Sequence, residues 1–340
     1  TNRCPLSCVH CFYSARLNTE LPDELTLAEF ECVADSFRRP LESITFTGGE
    51  PIFRPDFPQV AAAFHRRARL RAGTVPTSGV DPDRMVETIR EVLRRTKSLE
   101  VSTQVSVDGR EETHERIRKI PGLYAKALET VERLLKLRRE EPRMGPVMII
   151  TTVMAQNLDD VVPLRDEMRR LLPEANHKFQ IVRGAHAFTY GVAPAWLSNL
   201  DPGAYDEALP EPARLREVVR ALTETPRDKT LLERMEAMNL GYCMRIVETG
   251  DAIMPCVAGW FDGVLYPTGE VAMCENTRAF ANVRDHGYDF ARLWRSEVAD
   301  TARGAIAGCH CIHPCNVGTS MSFHGETLAA LAAKEFPGVV

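Results

Sequence analysis

The 340-residue chain is 44% hydrophobic and 26% charged, the balance of an ordinary water-soluble packed protein, and is long enough for one large α/β barrel with or without a small appendage. Its 47 acidic and 42 basic residues leave a net charge of −5 with both signs spread along the chain, which makes no electrostatic case for nucleic acid or an anionic membrane surface. The longest apolar run, 147–155, holds two threonines and is far too short to span a bilayer, and no secretory leader is expected from the opening residues.

The chain opens on Cys4-Pro5-Leu6-Ser7-Cys8-Val9-His10-Cys11-Phe12, three thiols spaced CxxxCxxC. Three close thiolates can hold three irons of a cubane iron–sulfur cluster, and a fourth would close it. Leaving one iron open suits an external chelator. The alternative is a zinc knuckle, which wants four ligands, and His10 lies inside the spacing, where its geometry would be cramped. A strand that feeds this loop is expected to precede Thr1. Ten cysteines in all, eight of them in two groups near opposite ends with Cys32 and Cys243 outside, do not read as a small disulfide scaffold, and metal ligation in a reducing cytoplasm accounts for them better.

Helical spacing of Leu27, Phe30, Val33, Ala34 and Phe37 predicts a helix over 25–39, capped by Thr26, with Cys32 packed into the core. A short β-branched run, 43–47, predicts a strand that turns at Gly48-Gly49-Glu50-Pro51. Helices over 56–69, 82–95, 123–139 and 158–172 then alternate with strands over 73–77, 100–107, 146–154 and 178–182. Such alternation predicts a parallel sheet with helices outside. Five strands are visible, and the strand expected before Thr1 makes six, so the fold class is α/β, a partial (β/α)6 TIM-like barrel. Chemistry in such barrels collects at the C-terminal strand ends, where the cysteine loop, the Gly-Gly-Glu turn, Ser78, Asp108 and Arg183 all fall.

The Pro- and Gly-rich segment 184–228, with short helical candidates over 205–209 and 213–223, reads as linker and rim. A helix over 229–247 carries Cys243, expected to be buried and the one candidate for a proton-donating thiol. A hairpin is predicted over 261–274 and helices over 289–294 and 297–306, leading into Cys309-His310-Cys311-Ile312-His313-Pro314-Cys315.

With these motifs in place, the chain resembles the radical SAM superfamily with a SPASM/twitch-type extension. The cysteine loop matches the cluster loop whose open iron takes S-adenosylmethionine (SAM). Thr47-Gly48-Gly49-Glu50-Pro51 matches the turn that receives the methionine amino group. Val105-Ser106-Val107-Asp108-Gly109, with Arg118 downstream, resembles the segment after the fourth strand, so Ser106, Asp108 and Arg118 are expected at the ribose and carboxylate, with Ser78 a further cofactor contact. Cys256, Gly269 and Cys274, then Ala281-Asn282-Val283 and Leu293-Trp294, resemble the opening of the auxiliary-cluster unit, although only Cys309, Cys311 and Cys315 follow where the longer form has more. Five cysteines allow one auxiliary [4Fe–4S] cluster with one thiol over. Cys256, Cys274 and Cys315 are expected in it, completed by Cys309 or Cys311; a structural Cys4 zinc site is the alternative.

The resemblance implies a radical SAM barrel over 1–183, a linker and helical rim over 184–250, an auxiliary unit over 251–325 and a tail over 326–340. It implies a SAM-binding [4Fe–4S] cluster, reductive cleavage of SAM to a 5′-deoxyadenosyl radical, hydrogen abstraction from a small-molecule or peptide substrate, and an external electron donor such as flavodoxin or ferredoxin. Gln180, Arg183, His186 and Tyr190 are the candidate substrate contacts. The fate of the substrate radical stays open between net oxidation, peptide crosslinking and epimerisation. The rival from another class is a two-cluster electron-transfer protein without catalysis.

Overall fold

The computed structural model describes residues 1–19, 21–183, 208–223, 230–309 and 311–333. Five strands, β1 (Ser43–Thr45), β2 (Ala72–Thr77), β3 (Glu100–Ser106), β4 (Met144–Val153) and β5 (Asn176–Ile181), lie parallel in chain order. Between and before them run α1 (Leu27–Asp35), α2 (Phe57–Arg67), α3 (Pro82–Arg95), α4 (Glu111–Arg118), α5 (Leu123–Glu140) and α6 (Val161–Leu171). Parallel neighbours require a crossover, and a helix that packs its apolar stripe back on the sheet supplies it. In α3, for example, Asp81 accepts from the Arg84 amide, Pro82 takes the first turn, and Met85, Val86, Ile89, Val92 and Leu93 face inward. β4 is covered on both faces, which is why its sequence runs apolar rather than alternating.

The helix α4 falls where the sequence reading expected no element. Its eight residues bury only His114 and Ile117, so its period hides beneath six charged or polar neighbours. It ends at Lys119, in the left-handed conformation with φ of 58°. Cys32 corrects another expectation: it is exposed, because Val33 and Ala34 take the inward face of this short helix.

Beyond the sheet, α7 (Pro212–Thr223) and α8 (Leu231–Thr249) build a second core with β5, joined by Ile312, Val317 and Met321. A three-stranded antiparallel sheet follows, β6 (Val264–Leu265), β7 (Glu270–Ala272) and β8 (Ala281–Asn282), the last strand adding to the predicted hairpin. Four helices close the described chain: α9 (Phe290–Leu293), α10 (Glu297–Ala305), α11 (Pro314–Met321) and α12 (Gly325–Ala333). The stretch read as a tail thus carries a helix, tied to α8 by a 3.0 Å bond between Tyr242 Oη and buried Thr327 Oγ1.

The C-terminal unit is sewn onto the barrel rather than hung from it. Val271, Val283 and Leu293 belong to the barrel's own hydrophobic core. Glu29, which closes the capping box of α1 with Thr26, also accepts from Arg284 Nε at 2.8 Å and Tyr288 Oη at 2.9 Å. Arg16 pairs with Glu270 at the start of β7. No helix among the described residues is long and apolar enough to cross a membrane.

Candidate functional site

The cysteine loop lies against the C-terminal edge of the sheet and is held there by backbone geometry. The Asn18 side chain clasps Cys4 from both sides, accepting from its amide at 3.1 Å and donating to its carbonyl at 2.7 Å. Cys11 N donates to Cys8 O at 3.2 Å, and Val9 N donates to Ile117 O at 3.0 Å, which docks the loop on the end of α4. The turn after β1 then packs on the loop's entry: Gly49 N donates to Thr1 O and Glu50 N to Arg3 O, each at 2.7 Å. Both glycines are required, since Gly48 has φ of 120° and a Cβ on Gly49 would overlap the Arg3 carbonyl.

Glu50, 2% exposed, is fixed through one oxygen only. Its Oε2 accepts from Ser78 N at 2.8 Å and Ser78 Oγ at 2.6 Å, whereas Oε1 is buried without a hydrogen-bond partner. Burial pushes its carboxyl above the ordinary value, against the opposing pull of Ser78, the Thr77 hydroxyl and the Arg118 charge. Ser78 is thereby brought to Glu50, while Ser106 lies half-buried at the end of β3.

Asp108 is the hub of a buried network. Oδ1 accepts from Thr152 N at 2.9 Å and Oδ2 from Arg118 Nε at 2.6 Å; its amide donates to His114 Nδ1 at 3.0 Å, and its carbonyl accepts from Asn157 Nδ2 at 2.7 Å. Burial alone would raise this carboxyl, but Arg118, with His10 and His114, outweighs it and holds it below the ordinary value. Asp108 is fully buried, and with both oxygens engaged it anchors Arg118. Arg118 in turn points Nη1 at Cys8 Sγ, 3.7 Å away. His10 Nε2 lies 3.8 Å from Asp108 Oδ2, and burial lowers its imidazole to about 4, so it stays neutral between the thiols.

The second cysteine group gathers behind β7 and α11. Cys309 shares hydrogen bonds with both Cys256 and Cys311; it holds its proton tightly, while its donation lowers Cys256 and brings Cys311 down to about 6. A small cavity beside them is lined by these three thiols and by Met254, Ile246 and Asn316. Cys274 is buried, which pushes its thiol up to about 11, and its sulfur accepts from Asn316 Nδ2 at 3.0 Å and Asn276 N at 3.5 Å. Cys315 is exposed on α11, whose cap is His313. Cys243 is buried on α8 with its sulfur 3.7 Å from Ile312 O. Among the described residues no three Cys, His, Asp or Glu donors converge on one ion position.

Of the candidate substrate contacts, Gln180 Nε2 donates to Thr152 Oγ1 at 3.1 Å. Arg183 lies 4.3 Å over the Phe12 ring and pairs with Glu275, also reaching Asn276 Oδ1 at 3.2 Å. His186 and Tyr190 lie outside the described residues. Sequence reasoning missed Thr152, Asn157, Glu275 and His313; only their neighbours' spacing to the cysteines could have pointed to the last two.

The family profile described as the radical SAM superfamily matches residues 1–168, and through this stretch the chain belongs to that superfamily. Among curated relatives, Fe-coproporphyrin III synthase from Methanosarcina barkeri is 32% identical over 170 residues, 49% of this chain and 38% of that protein. Pre-heme d1 synthase from Dinoroseobacter shibae is 28% identical over 49% of this chain and 39% of its own length. The sporulation killing factor maturation protein SkfB from Bacillus subtilis is 26% identical over 59% of this chain and 44% of that protein. The matched stretch thus spans less than half the length of each of these relatives. Among solved structures, native anSMEcpe with bound AdoMet and Kp18Cys peptide superposes with a TM-score of 0.63 at 13% identity, over 97% of this chain and 96% of that one, which shows a shared fold reaching across both cysteine groups.

Proposed function

We propose that the chain is a radical SAM enzyme whose first cubane is held by Cys4, Cys8 and Cys11, with SAM on the open iron, and whose C-terminal cysteines hold one auxiliary [4Fe–4S] cluster. The observation that carries this reading is Glu50 Oε1, a buried acceptor without a donor, on a two-glycine turn hydrogen-bonded to the cysteine loop. An acceptor that finds no protein donor suits the ammonium of an amino-acid ligand. Gly48 and Gly49 give that ligand a bare backbone edge, Ser78 fixes the carboxylate, Ser106 offers a hydroxyl from β3, and Arg118 presents a guanidinium beside Cys8 for a carboxylate. When reduced and loaded, the pair supplies one-electron cleavage of SAM and with it abstraction of a substrate hydrogen atom. The chain's part is to hold SAM and substrate in register, keep water out, and keep His10 neutral among the thiols.

The reaction is read as a net oxidation of a small molecule or peptide, assisted by the auxiliary cluster and fed by a flavodoxin- or ferredoxin-type donor. A peptide-maturing role is the second reading, favoured by the maturation-protein relative and by the peptide-bound neighbour whose fold covers both cysteine groups. Anaerobic reconstitution tests the core of this. The protein should take up about 8 irons in two cubanes, and Cys4, Cys8 and Cys11 all changed to Ala should remove about half. Reduction with SAM should release 5′-deoxyadenosine, which a non-catalytic electron carrier would not do. Zinc in place of iron, or full iron in the triple variant, overturns the reading.

A further inference from the structure

Two arginines are half-buried at the rim of the sheet, and their surroundings differ. Arg118 is held by Asp108 and points Nη1 at Cys8 Sγ in the first loop. Arg183, just past β5, stands between the two cysteine groups. On one side its guanidinium covers Phe12, the residue after Cys11. On the other it grips Glu275 and Asn276, the two residues after Cys274. Glu275 also accepts from His313 Nε2 at 2.7 Å, and His313 caps the helix carrying Cys315 and Asn316, whose amide donates to Cys274 Sγ.

We propose that Arg183 is a positioning residue shared by the two cysteine sites, and that its fixed cation raises the reduction potential of both clusters, whereas Arg118 serves the first alone. The inference rests on the two-cluster reading above. Reduction adds negative charge to a cluster already bound by thiolates. A cation held at the site in a poorly screened interior favours that step, and a carboxylate opposes it. Arg183 and Glu275 therefore pull the second cluster in opposite directions, with His313 and Asn276 fixing the geometry of the pair.

The test is redox titration followed by electron paramagnetic resonance on reconstituted protein without SAM, with iron content measured alongside. Arg183→Gln should lower both midpoints, the second by about a tenfold shift in the reduction equilibrium, which is about 59 mV for a one-electron couple. Arg118→Gln should lower only the first. Arg183→Lys should restore most of the loss, since it keeps the charge, and Glu275→Gln should raise the second midpoint. Should Arg183→Gln not load iron, the Lys and Glu275→Gln variants still decide by the sign of their shifts. Two loaded sites with potentials unmoved in the Arg183 and Glu275 variants, or a second-site shift in Arg118→Gln, overturn this inference alone. Wild-type protein with iron at one site only overturns the two-cluster reading along with it.

Discussion

Replacing Glu50 with Gln separates the role of its free oxygen from that of its fixed one. The amide carbonyl can keep both Ser78 bonds, at 2.8 and 2.6 Å, which leaves an NH2 group where Oε1 now waits without a donor. A ligand ammonium arriving there meets a donor instead of an acceptor. A hydrogen bond to a charged group contributes about 1.5–3 kcal/mol, so SAM should bind roughly 10- to 150-fold more weakly at 1.4 kcal/mol per tenfold. Anaerobic calorimetric titration measures this, and iron content should not change, because Glu50 touches no thiol. The substitution carries a pH signature as well. Burial raises the folded-state pKa of Glu50 above its ordinary 4.5, so its contribution to stability is full below pH 4.5 and is lost as pH rises through the raised value. Gln lacks that loss, and the unfolding temperature of the SAM-free wild type, relative to the variant, should fall from pH 4.5 upward. Wild-type affinity in the variant, or a relative stability independent of pH, would refute the reasoning.

Two further outcomes follow from the C-terminal unit. Cys256, Cys274 and Cys315 should each be needed for second-site iron, whereas one of Cys309 and Cys311, which share a hydrogen bond, should be dispensable; Mössbauer spectra showing the full cluster in Cys315→Ala, or its loss from both single variants at Cys309 and Cys311, would contradict this. At the other seam, Arg284 leads the groups that hold Glu29 down to about 2, so the stability it contributes is present above pH 4.5 and lost as pH falls towards 2. Glu29→Gln should therefore unfold at a lower temperature at pH 7, with the gap narrowing below pH 4.5 in thermal scans; a gap constant from pH 7 to pH 3 would show that the carboxylate is not what docks α1 on the C-terminal unit.

The sheet was legible because each strand is a short β-branched or apolar run followed by an amphipathic helix, and β2 to β5 begin or end within two residues of where the pattern puts them. What escaped was set by distant packing. In α4 only His114 and Ile117 turn inward, and they do so because the helix end must meet Val9 of the cysteine loop. Nothing in the local sequence announces that contact. The two-residue strand β8 exists only through its pairing with β7, and α11 begins at a proline within a cysteine-rich stretch that reads as loop. The site divides in the same way. Thiol spacing and paired glycines are local signals, and they placed the cysteine loop and the turn at Glu50 on the same edge of the sheet. The partners of Asp108, Thr152 and Arg118, come from other segments, so its place in a network leaves no local signal.

Strand order also accounts for how the two cysteine groups come together, although more than 240 residues separate Cys11 from Cys256. Each strand hands one group to the same rim as the chain winds past: Glu50 after β1, Ser78 after β2, Asp108 after β3, Thr152 near the end of β4, Arg183 after β5. Because the sheet is strictly sequential, β5 is an edge among the described residues, paired there with β4 alone. That edge is where α8 and the later cysteines can approach without displacing a barrel helix. A cation at the end of β5 meets the incoming Glu275 there while its flat face still reaches Phe12 across the rim. A guanidinium can do both at once, stacking through its plane and pairing through its edge. An arginine at this one position therefore joins the two halves, and its charge belongs to both.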